Sequence, residues 1–301
     1  MDQDQRWREE YRAHRYLEFA TPEVIRQRLI DITANSFIID RFGKFSPRLD
    51  ATGWLRLITH INEEIALRNT EVTVSIPRPY FRASRAAQLW DPVNLPYGSY
   101  LLKFGKREHI FPLFMKGLIR ISPAETYNDA QLGDAVADNE REFIQESIGA
   151  TASFPPNRDY RLPHDQWITT SIIGTLKNIQ TYTGQVYMAC LTRKYDYRLF
   201  EDFGYDACLV IRDPLRFLRA MKEVREVLLP DFQFYFDAVS YRDPFQPKPE
   251  SDVLYTKHFR FAYQDEFRLT WEREPVAGEP PLQPIFFELG PLMDYCDYLV
   301  L

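Results

Sequence analysis

Chemistry-bearing side chains come together in residues 255–271, where Gln264, Asp265 and Glu266 form a polar knot between two aromatic runs. Phe259, Phe261 and Tyr263 alternate before it, and Phe267, Leu269 and Trp271 alternate after it. Apolar residues at every second position read as extended chain, which sets Gln264 and Glu266 on one face of a strand and turns Asp265 away. A carboxylate and an amide side by side on a rigid strand suit a reaction with two needs. One group stabilises a developing positive charge and the other orients an acceptor. The competing reading is an edge strand carrying a solvated polar bend. Arg268 shares the face of Glu266 and is expected to pair with it.

Other chemistries lack their signatures. There is no Gly-x-Gly-x-x-Gly loop, no phosphate-binding loop and no Gly-x-Ser-x-Gly elbow, which argues against a dinucleotide-binding domain, a kinase or a serine hydrolase. The five histidines are scattered, none standing three or four residues from another His or a Cys, so no metal is expected. With 37 Lys and Arg against 43 Asp and Glu, the net charge of −6 marks no general polyanion binder. The basic and aromatic mixture around Arg78, Arg82 and Arg85 is the local exception, read either as a nucleic-acid contact or as a packed loop. Three unpaired cysteines, Cys190, Cys208 and Cys296, suggest reduced, mostly buried thiols. The first residues carry no apolar signal core and no run nears the roughly 18 apolar residues of a membrane span. A cytoplasmic protein without membrane partners is expected.

The elements that must position the knot can be read in order. Residues 5–33 read as two helices, the second capped by Thr21 with Pro22 in its first turn, and residues 51–67 as a third with an apolar stripe. His60 beside that stripe is expected at the surface or partly satisfied. Residues 70–76 read as a short strand. A turn-rich junction at residues 90–98 divides a helical N-terminal region, 1–95, from a main α+β domain, 96–301. In that domain, strands are expected at 100–104, 117–122, 185–192, 207–211 and 232–241, with helices at 108–115 and 214–227. A polar helix is expected from 129, a proline-rich loop at 152–165, a helix or buried segment at 167–180 and a proline-rich bend at 274–284. The C-terminal tail is apolar enough to dock.

Taken in order, Lys103-Phe104 on an early strand, Tyr127-Asn128-Asp129 after the next, Cys190-Leu191-Thr192 ending a middle strand and the late Gln264-x-Glu266 resemble the ADP-ribosyltransferase superfamily. Residues 99–271 also look like a group of bacterial proteins of that kind, many tied to phage defence. The resemblance departs at Lys103, where branches of the superfamily carry His or Arg, and at Cys190-Leu191-Thr192 in place of Ser-Thr-Ser. Thr169-Thr170-Ser171 is a second candidate for that motif. The resemblance implies a split antiparallel β-sheet that clamps NAD as a substrate, with no metal, and a mono-ADP-ribosyltransferase toxin or anti-phage effector. Glu266 and Gln264 would be catalytic. Lys103, Phe104, Arg120, Asn128, Thr192 and Tyr263 would bind the NAD. Partners implied are a macromolecular acceptor, RNA, DNA or protein, and an inhibitory antitoxin-like protein. The alternative is a catalytically inactive interaction module of the same fold.

Overall fold

The computed structural model describes residues 2–39, 45–47, 52–73, 83–93, 95–128, 139–148, 151–154, 168–171, 175–246, 252–278 and 280–301. The N-terminal part runs α1 (Gln3–Ala13), α2 (Pro22–Ser36), the hairpin β1 (Phe37–Ile39) and β2 (Phe45–Pro47), then α3 (Thr52–Leu67) and α4 (Ala83–Trp90). Asp2 and Thr21 cap the first two helices, each accepting an amide hydrogen three residues on. Such caps satisfy donors that have no partner inside the helix. Tyr11, Leu17, Ile25, Ile32 and Ile61 make one apolar core, and Phe259 from the far end of the chain enters it.

The rest is a mixed α+β unit. It continues with β3 (Leu101–Gly105), α5 (Arg107–Lys116), β4 (Leu118–Pro123), a 3-10 turn Ala124–Asn128, β5 (Glu142–Ile148), β6 (Thr151–Phe154), β7 (Ile168–Ser171), β8 (Thr175–Thr181) and β9 (Gln185–Thr192). Then follow α6 (Arg198–Asp202), β10 (Ala207–Ile211), α7 (Pro214–Leu228), β11 (Gln233–Ala238), β12 (Ser240–Arg242), β13 (Thr256–His258), a 3-10 helix Phe259–Gln264, β14 (Glu266–Arg273), β15 (Ile285–Glu288) and β16 (Cys296–Val300). The main sheet is antiparallel in the order β11-β14-β9-β3-β10-β16. It forks at β9. One end of that strand meets β3 at a single pair, Leu102 with Thr192, while β4 joins farther back at Met188 and Tyr187 and carries β15 outward.

Local sequence explains most of this. Gly117 ends α5 at φ 70°, and a Cβ there would collide with the Gly290 backbone, so the glycine both stops the helix and admits the neighbouring chain. Along β14, Phe267, Leu269 and Trp271 face the apolar core, while Glu266, Arg268, Thr270 and Glu272 share the other face. The C-terminal tail does more than dock, because β16 pairs with β10 along its length.

Several expectations are corrected. Residues 168–171 and 175–181 are strands, not a helix, and β8 pairs with β5 so that Ile144 lies opposite Ile179, both exposed. Thr- and Ile-rich segments lose less side-chain freedom on a pleated ladder than on a helix. Residues 70–73 are unpaired, and the rest of that expected strand, the helix from 129, the prolines of 155–163, Arg78 and Arg82 lie outside the described residues; Arg85 is exposed on α4. Of the two readings of His60 the partly satisfied one holds: it is buried, with Nδ1 3.3 Å from the Tyr16 hydroxyl and Nε2 without a hydrogen-bond partner among the described residues.

The helical part is fastened to the 3-10 helix. Asn35 donates to the Arg260 carbonyl at 2.9 Å, and Arg28 grips Asp243 with two nitrogens. His258 caps the 3-10 helix by accepting from the Arg260 amide. Burial, aided by the nearby Arg260 and Arg28 charges and opposed by Asp243, pulls the His258 pKa down to about 4. Unfolded imidazole takes its proton near pH 6.5, so stability is complete above that value and falls as pH drops toward 4. The slope from this one group is about 1.4 kcal/mol per pH unit in that window. His258→Asn keeps a capping acceptor without the titration. Denaturant midpoints at pH 7 and pH 5 should therefore fall farther for the wild type than for this variant.

Candidate active site

The fork in the sheet opens a cavity of about 160 Å³ between β3 and β9. Its walls come from β3 (Leu102, Lys103, Phe104), β9 (Cys190, Leu191, Thr192) and the knot (Gln264, Glu266), with Tyr127, Glu140, Phe203, Tyr205 and Lys257 closing it. By alternation Lys103 belongs to the face opposite Leu102 and Phe104. Its side chain turns into the fork, where the amine donates to the Cys190 carbonyl at 2.8 Å.

Beside the cavity lies a closed ring of charges. Lys257 Nζ is 2.9 Å from Glu140 and 3.2 Å from Glu266, while Arg268 bonds Glu266 through Nε at 2.7 Å and Glu140 through Nη2. Arg268 also donates to the Leu254 carbonyl and is fully buried. Two cations and two carboxylates leave the ring neutral, the arrangement in which buried charges are tolerated. Burial by itself would raise the Glu266 pKa, but Arg268 and Lys257 overcome it and hold the carboxyl ionised, well below the usual carboxylate range. Because each carboxylate oxygen has two lone pairs, Glu266 can still accept a hydrogen bond from a ligand hydroxyl in the cavity.

The knot itself is shaped differently from the sequence reading. Gln264 closes the 3-10 helix, Asp265 sits in the left-handed region at φ 41°, and Glu266 opens β14. Gln264 and Glu266 thus line one cavity because the chain reverses at Asp265, not because they share a strand face. The alternation of Phe259, Phe261 and Tyr263 misleads for a physical reason. All three are buried, yet Phe259 enters the helical core and Tyr263 a separate one beside β3 and β10. Thr192 fastens the reversal, its hydroxyl donating to the Gln264 carbonyl.

Of the residues expected to bind NAD, Lys103, Phe104 and Thr192 line the cavity and three do not. Arg120 is exposed on β4 with its guanidinium over Phe286, because β4 leaves the fork on the far branch. Asn128 is exposed at the end of its 3-10 turn, and its neighbour Tyr127 faces the cavity instead. Tyr263 is packed under the Arg198 guanidinium, 3.6 Å from ring centroid to carbon, behind Gln264. Glu140 and Lys257 were missed by sequence reasoning, since neither stands at a motif spacing from Glu266. Their only signal is a charged residue in a segment that must be covered.

Asp265 points away from the cavity to Arg193, at 2.5 Å, and the Tyr97 hydroxyl, at 3.0 Å. Asn tolerates the left-handed conformation and keeps an acceptor for both. Asp265→Asn is therefore expected to cost no more than about 1–2 kcal/mol, since only the charge of a partly buried pair is lost. Urea titration of the variant checks this.

Fold and site together define an α+β protein with a forked antiparallel sheet and a charged cavity in the fork. No protein-family model matches the chain, and neither a curated protein nor a solved structure does. Among the described residues no helix is long and apolar enough to cross a membrane.

Proposed function

We propose that this protein is a mono-ADP-ribosyltransferase that uses NAD as its substrate and modifies an intracellular macromolecule as a toxin or anti-phage effector. The observation that carries the reading is the meeting of Lys103, Thr192, Gln264 and Glu266, from three distant segments, on one cavity in the fork of the sheet. Those are the positions that the order of motifs in the sequence singles out.

The chemistry follows from the ring. Breaking the bond between nicotinamide and C1 of the ribose sends the bonding electrons out with neutral nicotinamide and leaves positive charge on the sugar, as in glycoside cleavage. Glu266, ionised and held in place by Arg268 and Lys257, stabilises that charge through the ribose hydroxyls. Gln264 orients the acceptor, whose nucleophilic atom bonds to C1 and gives up its proton to solvent water. The aromatic rings of Phe104, Tyr127, Phe203 and Tyr205 supply faces on which nicotinamide stacks. The cavity is smaller than the ~300–1,000 Å³ typical of whole-ligand pockets. It therefore takes the nicotinamide-ribose end, and the adenosine end lies outside.

The closed salt-bridge ring also favours a second reading, a noncatalytic module in which Glu266 serves packing alone. Labelled NAD separates the two. Purified protein incubated with labelled NAD and a lysate fractionated into RNA, DNA and protein should release nicotinamide and label one fraction. Neither release nor labelling by a protein that is folded by circular dichroism would overturn the enzymatic reading and leave the second.

A further inference from the structure

Two lysines wall the cavity, and their surroundings differ in kind. Lys257 sits between the carboxylates of Glu140 and Glu266, so its ammonium form is paired twice. Lys103 has the Cys190 carbonyl at 2.8 Å, and among the described residues no carboxylate lies within ion-pair distance of it. The ring of Lys257, Arg268, Glu140 and Glu266 is already neutral, so a proton on Lys103 would add a charge that the ring does not compensate.

We propose that Lys103 is an imine-forming lysine whose amine condenses with the aldehyde of a small polyhydroxylated carbonyl compound admitted to the cavity. An uncharged amine can donate one N–H to the Cys190 carbonyl and keep its lone pair for a carbonyl carbon. Desolvation lowers its proton affinity, opposed by Cys190 and Glu266. Lysines made nucleophilic in this way are the ones that form Schiff bases. The rest of the cavity fits the partner. Glu140, Glu266 and Gln264 present acceptors for hydroxyls, and Phe104, Phe203 and Tyr205 present flat faces for C–H groups.

The step balances without an oxidant or a cofactor. The nitrogen lone pair bonds to the aldehyde carbon, and the carbonyl oxygen leaves as water carrying both amine hydrogens. The product is a C=N bond on the Lys103 side chain. The inference does not depend on NAD cleavage, although the C1 aldehyde of an open-chain ribose is one compound of this class.

The test uses the full chain with D-glyceraldehyde, a free aldehyde small enough for the cavity, and sodium cyanoborohydride to reduce any imine to a stable amine. Peptide mass mapping then reads the fraction of each lysine modified. Lys103 is expected to be trapped in preference to Lys257, whose ammonium form is held by two carboxylates. Lys103→Met should lose the cavity adduct while exposed lysines such as Lys222 react as before. Adducts confined to exposed lysines, or trapping at Lys257 ahead of Lys103, would overturn the proposal. The wild-type map decides this even if Lys103→Met does not fold. Because no NAD is present, trapping and nicotinamide release can fail separately.

Discussion

Glu266→Gln is expected to slow nicotinamide release from NAD by about 10²-fold or more, the usual cost of removing one preorganised electrostatic group from a charge-developing reaction. The amide keeps the shape of the side chain and one acceptor oxygen, so the variant isolates charge from volume. It also leaves Lys257 and Arg268 facing only one carboxylate, Glu140, which costs stability whatever the function. Glu140→Gln is the control for that effect. It removes the same charge from the same ring, and should lose comparable stability but clearly less rate. Nicotinamide release at saturating NAD, measured beside urea midpoints for both variants, separates the two contributions. Equal rates for wild type and Glu266→Gln would remove Glu266 from the chemistry. Equal loss in both variants would assign the effect to the ring and not to Glu266.

Arg268→Met is expected to be among the most destabilising substitutions in the chain, costing about 3–5 kcal/mol. Methionine fills much of the volume left by the arginine stem, so little of this comes from a cavity. The cost is electrostatic. Glu140 and Glu266, both buried, would be left with Lys257 as the shared cation, and the Leu254 carbonyl would lose its donor. Against a typical domain stability of about 5–15 kcal/mol, that is a large share of the whole. An exposed pair sets the scale. Arg56 and Glu10 also bond each other, with 40% and 43% of their side chains accessible, and Arg56→Ala should cost less than about 1 kcal/mol. Urea denaturation of the two variants under the same conditions measures the difference, and comparable losses would mean that burial does not make the charges of the ring costly to unpair.

These two expectations rest on different kinds of legibility. Glu266 was readable in the sequence because it stands at the edge of a strongly alternating run, Phe267, Leu269 and Trp271, and because Arg268 shares its face. Alternation fixes facing along a single strand, and the pairing of the two follows from strand geometry alone. The strands Leu101–Gly105, Leu118–Pro123, Gln185–Thr192 and Ala207–Ile211 were equally plain, as were α5, ended by Gly117, and α7, opened by Pro214. Each of these is set by contacts within a few residues.

Residues 259–264 show where that logic stops. Their alternation records that every second side chain is buried, but it does not say in how many cores. A 3-10 helix wedged between the helical part and the sheet gives the same pattern as a strand on one core. Glu140 and Lys257 lie further beyond reach. Glu140 meets Arg268 across 128 residues of chain, and nothing within either segment names its partner. The sequence by itself determined β3, β4, β9 and β10, helices α2, α3, α5 and α7, the Thr21 cap and the polar face of β14, because propensity and periodicity act locally. Only the tertiary structure decided that the sheet forks at Thr192, that Lys103 turns into the fork with no carboxylate paired to it among the described residues, and that two carboxylates there share two cations. The physical reason is that a buried charge is stable only beside its opposite, and the closing of the chain selects which opposite that is.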